Sequence, residues 1–236
     1  MQAVVLAGGK GTRLAPYTNV LPKPLMPIGN MPILEVLLRQ MKVAGFDEVT
    51  LTVGHLAELL EAFFKDGERF GLHIRYSIED NPLGTAGPLA MVGGLDATFL
   101  VCNGDILTTL DLKELLKYHK RKGGIATIAM HHREVKINLG VIQTNDGHEI
   151  TGYLEKPSIN YTVSMGLYMF EPKILTYIQP NCYLDFPDLM LKVLAAKEKV
   201  YGYAFDGYWQ DLGDPDDYQQ AQQDFVEMQS QFMVDG

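Results

Sequence analysis

The sequence predicts an α/β protein, a sandwich of helices around a twisted, mixed and mainly parallel central sheet. Three observations predict it. Short Val- and Leu-rich runs alternate with helical patterns through the first half of the chain. Two of those runs stop abruptly, at Gly8-Gly9 and at Gly104-Asp105. The second half changes to strands separated by short turns. Strand and helix in alternation is the pattern of parallel neighbours, and strands joined by turns add the mixed part of the sheet.

Residues 2–7, QAVVLA, are an apolar run of the kind buried on both faces. The next helix should have Asn30 as its cap, Pro32 in its first turn, a stripe of Ile33, Leu34, Leu37, Leu38 and Met41, and Gly45 as its stop. A strand at 48–53, a helix at 55–65, an alternating strand at 72–78 and an apolar strand at 97–105 follow. The strands at 124–130, 139–144, 149–155 and 162–170, with a turn at Asn145-Asp146-Gly147, are expected to continue the first sheet. Short helices at about 172–178 and 185–196 and a strand at 199–205 lead to a final helix capped by Asp214-Pro215. In that helix Tyr218, Ala221, Phe225, Met228 and Phe232 recur at three- and four-residue steps, a stripe that packs on the body or contacts a second copy.

A formal charge of -9 argues against a nucleic-acid coat or an anionic membrane surface, since both call for a basic patch. No apolar run approaches the roughly 20 residues of a membrane span and no signal-type segment opens the chain, so a cytoplasmic protein is expected. Cys102 and Cys182 are far apart in the chain, with Cys102 inside an apolar strand, and read as inert thiols. His131 and His132 are adjacent in a strand and point to opposite faces, so they do not pair on one metal.

A small anionic ligand needs only a few local cations. Residues 10–23 supply Lys10, Arg13 and Lys23 with no acidic residue among them. The glycine-rich turn before Arg13 lacks the Lys-Ser/Thr pair of a P-loop, and Leu14 stands where a dinucleotide fingerprint needs its third glycine. What remains is a strand-end turn whose backbone N–H groups can approach a polyphosphate closely. Arg13 suits bidentate contact and Lys23 a point charge, which suggests two phosphate positions. Pro22, Pro24 and Pro27 should keep the segment around Lys23 extended. Asp105 ends a strand at the carboxyl edge, where open α/β sheets bind ligands, and Asp211 follows Trp209 in a loop before the last helix. Either aspartate alone reads as a turn or cap residue; with the loop, the two become candidate ligands for Mg²⁺, which favours carboxylate and phosphate oxygens.

The segments LAGGKGTRLAPYT and PKPLMPIGNMPIL, followed in order by LGTAGPL (83–89), NGD (103–105), EKP (155–157), SMGLYMF (164–170) and YWQDLGDPDDY (208–218), resemble the signature of the sugar-1-phosphate nucleotidyltransferases. The resemblance covers nearly the whole chain. It implies a Rossmann-like three-layer sandwich of the nucleotide-diphospho-sugar transferase type, one domain over 1–236 with a nucleotide-binding part at about 1–123 and a sugar-phosphate part at about 124–236. The left-handed β-helix domain of longer relatives is not expected. The implied reaction is Mg²⁺-dependent attack of a sugar 1-phosphate oxygen on the α-phosphorus of a nucleoside triphosphate, with pyrophosphate leaving.

By the same resemblance Arg13 holds the β and γ phosphates, Lys23 sits near the reacting phosphates, and Asp105 and Asp211 bind the metal. Leu6, Ala7, Gly8, Gly9, Gly11, Thr12 and Pro82 belong to the nucleotide site. Glu155 meets sugar hydroxyls, Lys156 and Lys23 the sugar phosphate, and Gly140, Ser164, Gly166 and Trp209 the same pocket. Base choice centres on residues 79–87: Gly84 lets a base approach the backbone, Thr85 offers a hydroxyl, and the acceptor-only Glu79 suits the adjacent N–H donors of guanine. GTP with mannose 1-phosphate or a related hexose or heptose 1-phosphate is the leading pair, although mannose-specific relatives often carry Asn where this chain has Ser164. Thymidylyl, uridylyl or cytidylyl transfer to glucose 1-phosphate or a phosphocholine-type acceptor is the alternative, and a catalytically silent nucleotide-sugar-sensing subunit is the second. A homodimer is compatible with either.

Overall fold

Strand β1 (Gln2–Leu6) runs through the middle of a seven-stranded sheet, its residues facing the two sides in turn. Val5 and Ala7 enter the core on one side and Val4 and Leu6 on the other, as an apolar run without alternation requires. The structure, a computed structural model, describes residues 1–79 and 81–233. After β1 come β2 (Pro27–Ile28), β3 (Met31–Pro32), α1 (Ile33–Val43), β4 (Glu48–Val53), α2 (Ala57–Phe64) and β5 (His73–Ile78). The chain continues through β6 (Phe99–Asn103), β7 (Ile106–Thr108), α3 (Leu112–Lys122), β8 (Ala126–Lys136), β9 (Gly140–Thr144), β10 (Ile150–Glu155) and β11 (Ser158–Phe170). It ends with α4 (Phe186–Ala195), β12 (Val200–Ala204), β13 (Trp209–Asp211), α5 (Pro215–Glu227) and α6 (Gln229–Phe232).

The strand order is β12-β8-β11-β6-β1-β4-β5, and β11 alone runs against the rest. One side of the sheet is covered by α1, α2 and α3 and the other by α4 with neighbouring 3-10 turns, giving the α/β sandwich. The chain leaves β1 toward β4 and β5 and returns to place β6 on the opposite flank. The carboxyl ends of β1 and β6 therefore diverge, and a crevice opens at this switch of direction.

Several local expectations change. Asn30 does not cap α1; it is exposed in the turn between β2 and β3, and the helix begins after Pro32, with Ile33 N–H donating to Met26 O. Lys23–Leu25 is a 3-10 turn rather than an extended segment, because the fixed φ of Pro24 also suits the opening of a helical turn. Helix α3 has no counterpart among the predicted elements, although Asp111 caps it by accepting from the N–H groups of Lys113 and Glu114. Only β8, β11 and β12 extend the main sheet; β9 and β10 pair with each other as a separate antiparallel hairpin. The final helix is capped by Asp214 as expected and breaks at Met228. Its stripe packs on the body: Ala221, Phe225 and Phe232 are buried against Ile28, Ile33, Val36, Leu107 and Leu212. Cys102 is buried in β6 and Cys182 is exposed, both as free thiols. Among the described residues no helix is long and apolar enough to cross a membrane.

Candidate active site

The turn after β1 is fastened to the sheet from both flanks. Ala7 N–H donates to Thr52 O at 2.8 Å, and Gly104 N–H, just after β6, donates to Leu6 O at 3.0 Å. Gly11 has φ +60, and a Cβ there would stand 2.9 Å from Thr18 Cγ2, so both conformation and space call for glycine. Thr18 Oγ1 donates to Gly11 O at 2.8 Å, and His55 Nε2 lies 3.1 Å from Thr18 O. These bonds hold the turn open above a cleft of about 790 Å³ at the switch point.

Leu6, Ala7, Gly8, Gly9, Gly11, Thr12, Arg13, Glu79, Pro82, Gly84 and Thr85 all line this cleft, together with Lys10, Lys23 and Asp105, whereas Asp211 lies outside its lining. Asn103, of the NGD segment, also lines it, as do Thr52, His55, Tyr183 and Asp185, which were not singled out by the sequence. Nothing local marks Tyr183 or Asp185, which arrive through pairing with a loop 100 positions away.

Asp211 is not in a loop but in β13, which pairs with β7 so that Asp211 stands opposite Ile106. Leu212 N–H donates to Asp105 O at 3.1 Å, and this short ladder brings the two aspartates side by side. Lys23 lies between them, paired with Asp105 and 3.7 Å from Asp211 Oδ1. Arg13 reaches the same place from the other wall: a Cβ on Gly213 would be 2.9 Å from its Nη2. Two cations from one short stretch and two carboxylates from two distant segments meet here.

The carboxyl of Asp211 is pushed above its ordinary range, first by burial and then by the charge of Asp105, with Lys23 and Arg13 acting in the opposite direction. Its Oδ1 is buried with no hydrogen-bond partner among the described residues, and Lys23 is within ion-pair range but beyond hydrogen-bond range. An orphaned carboxylate oxygen beside a second carboxylate fits a hard divalent cation. Among the described residues no cluster of three or more metal-ligating side chains occurs, so such an ion would complete its shell with phosphate and water oxygens.

Glu79 lines the cleft beside the glycine turn. Its Oε2 accepts from Leu83 N–H at 3.1 Å, Oε1 turns toward Gly8, and burial raises its pKa against the effect of the Leu83 bond. Gly84 has φ +79 and a Cβ there would collide with Leu184 O and Asp185 Oδ1. The Thr85 hydroxyl, expected to face a base, is already engaged: it donates to Asp185 Oδ1 at 3.1 Å and accepts from Phe186 N–H at 2.9 Å.

Of the expected sugar-phosphate residues Lys23 lines the cleft, and the others fall into two groups that do not. Ser164, Gly166 and Trp209 lie beside it, at the register shift in β11: Gly166 has φ +73 and packs on Asn103, Ser164 Oγ donates to the Tyr168 hydroxyl at 3.1 Å, and Trp209 Nε1 donates to Met165 O at 2.9 Å. Gly140, Glu155 and Lys156 stand on the β9–β10 hairpin, where Gly140 pairs with Glu155 and packs under the Tyr153 ring. Glu155 and Lys156 are exposed and 3.9 Å apart. His131 and His132 take separate partners, Phe205 O and Thr162 Oγ1.

The profile of the family described as Nucleotidyl transferase matches residues 2–228. The chain is 39% identical to a UTP–glucose-1-phosphate uridylyltransferase of Synechocystis sp. over 94% of its own length and 62% of the relative's. It is 34% identical to a mannose-1-phosphate guanylyltransferase of Mycobacterium tuberculosis over 96% of its own length and 65% of the relative's. The chain thus spans less than two thirds of these curated relatives. Among solved structures, HddC from Yersinia pseudotuberculosis superposes with a TM-score of 0.72 at 23% identity, covering 95% of this chain and 99% of that one.

Proposed function

The chain belongs to the Nucleotidyl transferase family, and on that premise we propose that it transfers a nucleotidyl group from a nucleoside triphosphate to a sugar 1-phosphate, releasing pyrophosphate. The observation that carries this reading is the meeting of Arg13, Lys23, Asp105 and Asp211 at the open switch point, beneath a glycine turn shaped for phosphate. Reactions at phosphorus leave a protein mainly positioning and charge neutralisation to perform. The backbone N–H groups of the Gly8–Gly11 turn and the Arg13 guanidinium hold the outer phosphates and receive the charge of the departing pyrophosphate. Lys23, beside the two aspartates, would offset the negative charge of the reacting phosphate. A unit charge pair at roughly 4 Å is worth about 4 kcal/mol at an effective dielectric near 20, so each of these cations matters to a crowded polyphosphate. Asp105 and Asp211 would hold a magnesium ion, which supplies charge neutralisation and orientation of the phosphate oxygens. Glu155 and Lys156 would meet the sugar hydroxyls and sugar phosphate from the hairpin side.

GTP with mannose 1-phosphate, or a related hexose or heptose 1-phosphate, is the preferred pair. Glu79 supports the base: a half-buried carboxylate with one oxygen left toward the cleft gains most from a partner with adjacent N–H donors, as guanine has. The 34% identity to a guanylyltransferase agrees, and the 39% identity to a uridylyltransferase makes UTP with glucose 1-phosphate the second reading. The test is Mg²⁺-dependent pyrophosphate release over a grid of nucleoside triphosphates and sugar 1-phosphates. Activity confined to GTP supports the Glu79 argument; activity with UTP alone overturns it and keeps the reaction class. A blank grid with nucleotide-sugar binding intact would instead identify a sensing subunit.

A further inference from the structure

One wall of the cleft is made from two segments a hundred residues apart, locked together without slack. Ala86 and Gly87 N–H both donate to Leu184 O, at 2.9 and 3.0 Å, and Leu184 N–H donates to Leu83 O at 2.9 Å. Asp185 Oδ1 accepts from Thr85 N–H at 2.9 Å as well as from the Thr85 hydroxyl. Gly84 leaves no room between the two segments. Asp185 Oδ2 then accepts from the Tyr183 hydroxyl at 2.7 Å. Tyr183 is 65% exposed and lines the cleft. An exposed aromatic ring is ordinarily free to rotate, but this one is held at its backbone by the paired loops and at its tip by a carboxylate whose own position is fixed. Its hydroxyl lowers the pKa of Asp185, which keeps the acceptor ionised.

A fixed, solvent-facing aromatic plane beside the loop that carries Gly84 and Thr85 has one evident use in a nucleotide cleft. We propose that Tyr183 is the surface against which the nucleobase lies, with Thr85 and Asp185 as positioning residues that hold the ring. The proposal rests on the nucleotide reading of the cleft. It also gives the Thr85 hydroxyl a purpose that direct contact with the base would not: it fixes the wall instead of reading the ligand. Stacking is tolerant of base identity but scales with ring area, so purines should depend on Tyr183 more than pyrimidines do.

The test is calorimetric binding of GTP, UTP and inorganic triphosphate, each with Mg²⁺, to the wild-type chain, Tyr183→Phe and Tyr183→Ala. The expected result is that Tyr183→Ala weakens GTP about 5- to 100-fold, the range that loss of a base-stacking aromatic produces, weakens UTP less, and leaves inorganic triphosphate unchanged. Tyr183→Phe keeps the plane and should hold GTP within about threefold of wild type, one hydrogen bond to the protein being lost. Equal weakening of GTP and inorganic triphosphate by Tyr183→Ala would assign the ring a merely structural role, and unchanged GTP affinity would remove it from the site; either overturns the proposal. A wild-type chain that binds triphosphate but no nucleoside triphosphate any better would overturn the nucleotide reading itself, before any variant is compared.

Discussion

The proposed nucleotide side and the proposed sugar side of the site are built differently. On the nucleotide side the glycine turn follows β1, Gly104-Asp105 follows β6 and Glu79 directly follows β5, all strands of the central sheet, while Asp211 lies in the separate short ladder of β13 with β7, tied to Asp105 by the Leu212 N–H. Their places are set by a core that closes around them. On the sugar side, Gly140, Glu155 and Lys156 ride on a two-stranded hairpin that carries exposed Leu139, Ile142, Ile150, Tyr153 and Leu154 and has no core of its own. Isolated hairpins are only marginally stable. On the proposed assignment, the contrast teaches that residues which would neutralise a triphosphate are preorganised, while those that would meet the sugar are placed on an element whose position costs little to change.

The largest effect should come from the core of the preorganised side. Asp105→Asn is expected to lower turnover by about a thousandfold or more, judged from other losses of a charge-stabilising group, while the far- and near-ultraviolet circular dichroism stays unchanged. Turnover near that of the wild type would remove Asp105 from the metal assignment. Lys156→Ala tests the other side. It should raise KM for the sugar 1-phosphate about tenfold, as loss of one charged contact does, and leave KM for the nucleotide unaltered. If both KM values rose together, the two sides would not be separable.

Stability sharpens the same comparison. Gly11→Ala forces a side chain into a left-handed conformation against Thr18 and should cost about 1–3 kcal/mol in denaturant unfolding. Gly147→Ala, in the hairpin turn where the nearest atom is Asn145 Oδ1 at 3.4 Å, should stay within about 0.5 kcal/mol. The smallest effect needs no variant: amides of β9 and β10 should exchange with solvent faster than those of β1, β4 and β6, and equal protection would mean that the hairpin is held by more than its own pairing.

That the glycine turn, Arg13 and Lys23 line one cleft was legible because such a turn is a local object. Glycines, Arg13 and Lys23 lie within one short stretch, and the two strand-end signals at Gly8 and Gly104 marked the correct edge of the sheet. What stayed hidden depends on long-range pairing. Asp211 read as a loop residue because three residues of strand are too few to show a period, yet its ladder with β7 is what sets it beside Asp105. Tyr183 and Asp185 enter the cleft only because loop 83–87 pairs with 182–186, and the same pairing turned the Thr85 hydroxyl away from a ligand. Asn30 failed as a cap because the Pro-rich stretch before α1 folds into a hairpin, and Pro24 went into a turn that its fixed φ permits as readily as an extended chain. The sugar residues were nameable only through resemblance, since a Glu-Lys pair at a strand end has no local signature that separates it from a solvated ion pair.

The most direct measurement is titration of Mg²⁺ with GTP, and with UTP in parallel, in the absence of any sugar phosphate, into the wild-type chain and into a Glu155→Ala, Lys156→Ala double variant. A preorganised nucleotide side predicts saturable binding of the same affinity by both proteins for the nucleotide the enzyme uses. Loss of nucleotide binding in the double variant, or its absence from the wild type until a sugar 1-phosphate is added, would contradict it.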